Sequence, residues 1–315
     1  MSLILGIDTS NYTTSAALYD TESKKLVCEK MLLPVKRGER GIRQSDAVFH
    51  HTKQLPEVMK RLISNITQPI DLVCASVSPT EQKDSYMPCF LVGSNTAECI
   101  SYAANCEYIK TTHQSGHIFA AAYSAKRFDL ILDRQPFLAF HVSGGTTDCV
   151  YVNFDQNGEI EMLLVANSKD LKAGQAVDRV GVMLGLDFPC GKELEKLAEK
   201  GRKDFRINLK LIDSDCSLSG VENKCKEMYS KGDSKENTAS FCIEYIYTAL
   251  RLMTKYQINR LGEIPIIFAG GVMSNKIIAE KIKSEFKNVF FAEPDFSCDN
   301  AYGVCLYGAY KKGLI

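Results

Sequence analysis

Net charge is the first thing this 315-residue chain lacks. Its 38 Lys and Arg balance 38 Asp and Glu, so no overall field draws it to nucleic acid or an anionic membrane, and any polyanion must meet a local patch. Long apolar runs are missing too. None approaches the ~20 residues that span a bilayer, and the Met1 end carries no basic segment followed by an apolar core. A cytoplasmic protein without membrane contact is the expectation. The twelve cysteines include no CxxC pair and are scattered along the chain, which excludes the disulfide framework of a small secreted domain and predicts reduced, mostly buried thiols. Cys298 stands apart because it sits beside Asp299 in a polar stretch; a structural role is the expectation even there.

What is present is a pattern stated twice. LILGIDTSNYTTSAALYD (3–20) reads as an apolar strand, a small polar turn and a second strand; KLVCEKMLL is a third strand, and SDAVFHHTKQLPEVMKRLISN has apolar residues at helical spacing. FLAFHVSGGTTDCVYVNF (137–154) repeats the strand, the small-residue turn (Ser143, Gly144, Gly145, Thr146) and the strand; EIEMLLVAN and AGQAVDRVGVMLGL follow as strand and helix. Two β-β-β-α units with a turn at the same place predict an internal duplication. Such turns offer N–H groups and hydroxyls to phosphate oxygens. A third glycine turn, Gly270-Gly271 in IPIIFAGGVMSNKIIAEKI, joins a strand to a helix starting near Ser274 or Asn275, as where a backbone approaches a nucleotide. DLVCASVS and NVFFAEP read as buried strands and TASFCIEYIYTALRLMTKYQI as a long amphipathic helix. Residues 229–237 read as a solvated loop, and the basic run KGRKDFRINLK (200–210) as a solvated face with phosphate contact as the alternative.

TTHQSGHIFAA (111–121) places His113 and His117 four residues apart. Residues i and i+4 share one helix face, so two imidazoles there can bind one metal ion; helix-packed histidines are the competing reading. Gln114 follows His113, so the glutamate of HExxH is absent, which counts against zinc-peptidase chemistry. A metal needs a further ligand. Near the chain's end, Cys298-Asp299-Asn300 reads as the start of a helix after a strand, where Asp299 is either an N-cap or the carboxylate of a two-histidine, one-carboxylate site with open positions. Imidazole plus carboxylate suits iron, zinc or manganese.

The order of GIDTS, HQSGH, HVSGGTTD, AGQAVDRVGVMLGL followed by PCGKELEKLA, SLSGV, AGGVMSN and CDNAYG resembles the threonylcarbamoyl-adenosine transferase family (TsaD), formerly described as glycoproteases or M22 peptidases, over nearly the whole chain. The resemblance implies an α/β fold of the actin/Hsp70/sugar-kinase (ASKHA) type. It implies two duplicated RNase H-like halves, 1–134 and 135–315, a nucleotide cleft between them, and a last helix (about 299–313) that packs back on the first half. It implies an acyltransferase, not a peptidase, that moves a threonylcarbamoyl group from threonylcarbamoyl-AMP to the adenosine following the tRNA anticodon. It also implies accessory subunits of that transfer complex. Position by position, His113, His117 and Asp299 match the ligands of one divalent metal, Fe2+ or Zn2+. Val142, Ser143, Gly144, Gly145 and Thr146 match the phosphate and acyl-group turn. Asp178 matches the ribose-binding acid, Gly191 and Glu195 the next contacts, and Asn275 the adenosine-side asparagine, beside Gly270 and Gly271; ATP or threonylcarbamoyl-AMP is the implied ligand.

The pattern also departs from the family. Asn11, Tyr12 and Thr13 stand where ETSCDET has Cys, Asp and Glu, and no GPG occurs around residues 78–80. RQSDAVFHH replaces PELASR ahead of the matching His50, Thr146 replaces the His of SGGH, and Leu171 and Lys172 disturb an acidic pair. These changes predict a divergent paralogue that keeps the ligand side and alters the acceptor side. Two alternatives follow: an O-carbamoyltransferase acting on a small molecule, and a non-catalytic nucleotide-binding partner subunit.

Overall fold

Strand β1 (Leu3–Asp8) is buried along its whole length because both of its faces are covered. Side chains alternate across a strand, and Leu3, Leu5 and Ile7 enter one core with Leu55, Val58 and Leu62. On the other face, Gly6 lies so close to Cys305 that a Cβ would come within 2.7 Å of its sulfur. In the computed structural model, which describes residues 2–10, 12–34, 42–64, 66–82 and 84–315, the chain forms two units, Met1–Leu132 with Asp295–Ile315, and Asp133–Pro294. Asn11 lies outside the described residues.

The first unit carries β1, β2 (Thr13–Asp20), β3 (Lys25–Leu32), α1 (Gln44–Ile63), β4 (Leu72–Ser78), α2 (Phe90–Ala104), β5 (Glu107–Thr112), α3 (His113–Ser124) and α4 (Asp129–Leu132). Its sheet runs β3-β2-β1-β4-β5, with β1 antiparallel to β2, β2 antiparallel to β3, and β4 parallel to β1 and β5. The second unit carries β6 (Phe137–Val142), β7 (Thr147–Phe154), β8 (Ile160–Asn167), α5 (Ala173–Met183), α6 (Gly191–Lys200), α7 (Ser219–Ser230), α8 (Lys235–Leu261), β9 (Ile266–Ala269), α9 (Lys276–Glu285) and β10 (Val289–Phe291). Helix α10 (Tyr302–Lys311) then returns to the first unit, where it packs on β1, β2, β4 and α3.

The second sheet, β10-β9-β6-β7-β8, repeats the first strand for strand, with the same antiparallel and parallel pairings. The expected duplication is therefore real. Its core gathers Leu138, Phe140 and Phe268 of the sheet with Val177 and Val180 of α5 and Ile246 and Leu250 of α8.

Three local expectations need correction. NVFFAEP yields only the three-residue β10, half-buried rather than buried, because it is the sheet's edge strand. The loop expected over 229–237 shrinks: α7 continues to Ser230, and α8 starts at Lys235 because the Ser234 hydroxyl caps it by accepting from the Asn237 N–H. The helix expected to start at Cys298–Asn300 begins only at Tyr302.

Candidate metal centre and ligand turns

Helix α3 begins at His113 because Thr112 caps it: its hydroxyl accepts from the Ser115 N–H at 3.1 Å. His113 and His117 thus occupy adjacent turns of one face, and their Nε2 atoms are 2.9 Å apart. Asp299 arrives from the segment before α10, its Oδ1 3.4 Å from His117 Nε2 and 3.6 Å from His113 Nε2. Among the described residues, His113, His117 and Asp299 form a group whose ligand atoms all lie within 4.8 Å of one another. Asp299 does not cap α10. The Tyr302 N–H is taken by Asn300 Oδ1 at 3.0 Å, and Asn300 Nδ2 donates to the carbonyls of Phe296 and Cys298. Buried Asn300 therefore pins the loop and leaves the Asp299 carboxylate facing the histidines. Cys298 is exposed and accepts from Lys30 Nζ at 2.8 Å.

Asp8 joins them as a fourth group. Asp8 Oδ2 lies 2.6 Å from His113 Nδ1, and Asp8 Oδ1 accepts from the Ser10 N–H at 2.8 Å; the side chain is 1% exposed. A signal for it existed. Counting by two from Ile4 and Gly6 puts Asp8 on the sheet face that α10 covers, at the buried end of an apolar strand, where a carboxylate needs a partner.

The electrostatics of the four are interlocked. Burial opposes a charge on His113, yet the Asp8 and Asp299 carboxylates overcome it and hold the imidazolium up to about 10. Burial and the neighbouring His113 charge push His117 down, so it stays neutral and accepts. Asp299 and Asp8 are also buried, but hydrogen bonds and attraction from the histidines hold the first well below the carboxylate range, and His113 lowers the second. With His113 held charged, its Nε2–H is directed to where the three ligand atoms converge.

The histidines and the carboxylate meet because α3 and α10 touch backbone to backbone. A Cβ on Gly303 would come 1.7 Å from the Gly116 carbonyl oxygen, one residue before His117.

In the second unit, the Ser143–Thr146 turn joins β6 to β7, with Ser143 N–H bonded to the Thr146 carbonyl at 2.7 Å. The Ser143 hydroxyl accepts from the N–H groups of Gly145 and Thr146. Gly144 and Gly145 have nothing within 4 Å of a notional Cβ, whereas Gly174 at the start of α5 could carry none without striking Gly144 at 2.6 Å. Gly270, at φ +102, lies against the buried end of β6, where a Cβ would meet the Val142 carbonyl at 2.3 Å. A 3-10 turn then runs from Gly271 to Ser274, and Asn275 caps α9 by accepting from the Ile278 N–H at 3.0 Å. Asp178 on α5 accepts from the Cys190 N–H at 2.9 Å, next to Gly191 at the start of α6; burial raises the Asp178 carboxyl. Glu195 of α6 accepts from the Lys276 N–H at 2.6 Å. The expected ligand residues thus fall into two linked groups, one around Val142–Thr146 with Gly270, the other joining α5, α6 and the start of α9.

The family model for TsaD, tRNA N6-adenosine threonylcarbamoyltransferase, matches residues 31–304. The chain belongs to this family. It is 30% identical over 331 residues to the tRNA N6-adenosine threonylcarbamoyltransferase of Thermosipho africanus, covering 99% of this chain and 96% of that one. Among solved structures it resembles the Acidaminococcus fermentans (R)-2-hydroxyglutaryl-CoA dehydratase component A (TM-score 0.57, 16% identity, 100% of both chains). It also resembles HypF of T. kodakarensis (TM-score 0.60, 12% identity, 99% of this chain and 48% of that one). These likenesses bear on fold alone, and with the duplicated sheets they give the actin/Hsp70/sugar-kinase type. TsaD membership makes the chain one of a transferase family, not of a peptidase family.

Proposed function

We propose that this TsaD chain transfers a threonylcarbamoyl group from threonylcarbamoyl-AMP to the tRNA adenosine following the anticodon, with one Fe2+ or Zn2+ held by His113, His117 and Asp299. The carrying observation is the convergence of those three ligand atoms. Metal–ligand bonds of about 2.1 Å at tetrahedral or octahedral angles separate neighbouring ligand atoms by about 3.0–3.4 Å; the separations here are 2.9, 3.4 and 3.6 Å. Two histidines and one carboxylate leave positions open for substrate. When bound, the ion would act as a Lewis acid on the oxygens of the mixed anhydride.

The chain's own residues supply the rest. Asp8 accepts the Nδ1 proton of His113 and so directs Nε2 toward the ion, as carboxylate partners of metal-bound histidines do. Gly144 and Gly145, with no side chain and open space beside them, let a phosphate or acyl oxygen approach the backbone, and Ser143 and Thr146 add hydroxyls. Asp178 is the acceptor for a ribose hydroxyl, with Gly191, Glu195, Gly271 and Asn275 on the adenosine side; ATP would use the same contacts. The attacking amine belongs to the tRNA base, so no covalent nucleophile is required of the protein.

The test incubates metal-loaded protein with threonylcarbamoyl-AMP and unmodified tRNA and analyses the nucleosides by mass spectrometry. Threonylcarbamoyladenosine formed by the wild type and lost in His117→Ala and Asp299→Ala, together with near one equivalent of metal, is the expected result. Protein that binds neither metal nor threonylcarbamoyl-AMP would refute the reading.

A further inference from the structure

Between Lys196 and Lys210 lie six cations (Lys196, Lys200, Arg202, Lys203, Arg206, Lys210) against two acids (Glu199, Asp204), a surplus of four positive charges in a chain whose net charge is zero. The segment after α6 is irregular but not loose. Its burial alternates: Phe205, Ile207, Leu209 and Leu211 pack on the core of the second unit, while Arg202, Asp204, Arg206, Asn208 and Lys210 face out. Three contacts fasten its beginning to the start of α8. Gly201 lies so close that a Cβ would strike the Glu236 carbonyl at 2.3 Å, Arg202 N–H donates to Asn237 Oδ1 at 3.1 Å, and the Ser240 hydroxyl donates to the Arg202 carbonyl at 2.7 Å. The Arg202 guanidinium lies over Phe205, 4.6 Å from the ring centroid.

Some exposed cations of this chain find carboxylates, as Lys196 does with Glu193 at 2.6 Å and Lys231 with Glu227. Arg206 and Lys210 are exposed and form no ion pair with any described residue. Unpaired cations four residues apart on the outward face of a strap held by its apolar side chains suit a ladder of phosphates, because neutralising each phosphate releases condensed counterions. We infer that this strap is an RNA-backbone contact and that it holds the tRNA acceptor through its phosphates without reading its sequence. The inference rests on the tRNA acceptor proposed above; the basic strap adds where the acceptor is gripped.

The experiment titrates full-length protein with fluorescently labelled unmodified tRNA at several salt concentrations. It compares wild type with Arg206→Gln/Lys210→Gln and with a charge-matched control, Lys24→Gln/Lys25→Gln. Removing two phosphate contacts should lower the slope of log affinity against log salt by about 1.4–1.8 and weaken binding roughly 10- to 50-fold near 0.1 M salt. The control should keep the wild-type slope, and all three proteins should bind threonylcarbamoyl-AMP equally. An unchanged slope in Arg206→Gln/Lys210→Gln, with transfer to tRNA intact, overturns the strap and leaves the proposed reaction standing. Wild type that binds no tRNA even at low salt overturns both. Loss of binding to phosphatidylserine vesicles with tRNA affinity unchanged would overturn the assignment to RNA.

Discussion

Gly303→Ala tests whether the α3–α10 crossing builds the metal centre. Gly303 lies in α10, which alanine suits, so the effect is purely steric. The added carbon would start 1.7 Å from the Gly116 oxygen, where ordinary contact begins at 3.4 Å. Both neighbours are helix backbone, so neither can turn aside, and α10 must withdraw by about 1.5 Å, the kind of overpacking that costs about 1–3 kcal/mol. Asp299, four residues upstream of Gly303, would move with it, carrying Oδ1 from 3.4 and 3.6 Å to roughly 5 Å from the two Nε2 atoms. Ligand atoms sharing one ion at about 2.1 Å bonds cannot lie more than about 4.2 Å apart, so the carboxylate drops out of the set. Calorimetry should show a Tm lowered by about 3–10 °C, and elemental analysis should find most of the metal gone. A variant as stable and as metal-rich as wild type would mean that the crossing does not position Asp299.

Two further outcomes follow from the same centre. Asp8→Asn should leave the fold intact and weaken metal binding about 10- to 100-fold, read by competition with a chelator, because the partner that orients His113 is then neutral; unchanged affinity would remove Asp8 from the site. The third concerns pH. The folded pKa of His113 is raised to about 10 from an ordinary value near 6.5, so in metal-free protein the stabilising charge is fully present below about 6.5 and is lost as pH rises toward 10. Metal-free protein should lose Tm across that window while metal-loaded protein holds it. Metal binding near pH 7 should release one proton, detectable by calorimetry in buffers of different ionisation heat, and should weaken as pH falls.

The duplication and the histidine pair could be read from the sequence because both are local. Period-two and period-3.6 patterns announce strands and helices, and an i, i+4 spacing fixes two side chains on one face whatever surrounds the helix. The motif marks Asp299, but its sequence context suits a cap as well as a ligand, and only the structure gives the first N–H of α10 to Asn300. Asp8 stayed hidden because its role comes from a residue 105 positions away. Gly116 and Gly303 look like weak points in helices when taken singly, and their meaning appears only when the two helices cross. The edge position of β10 was likewise invisible, since strand order is set by long-range pairing rather than by composition.

Helix α10 belongs to a unit whose strands and other α-helices all precede Asp133. A ribosome makes β1, β2, β4 and α3 first, then the whole second unit, and only then the helix that covers the sheet and the loop that brings Asp299. Until α10 has been made, the first unit presents an uncovered apolar face and two histidines without Asp299. The second unit can fold while the first still waits for its lid. The proposed three-ligand set is thereby assembled only after residue 299 has been made, and a nascent chain halted before it would carry His113 and His117 without Asp299.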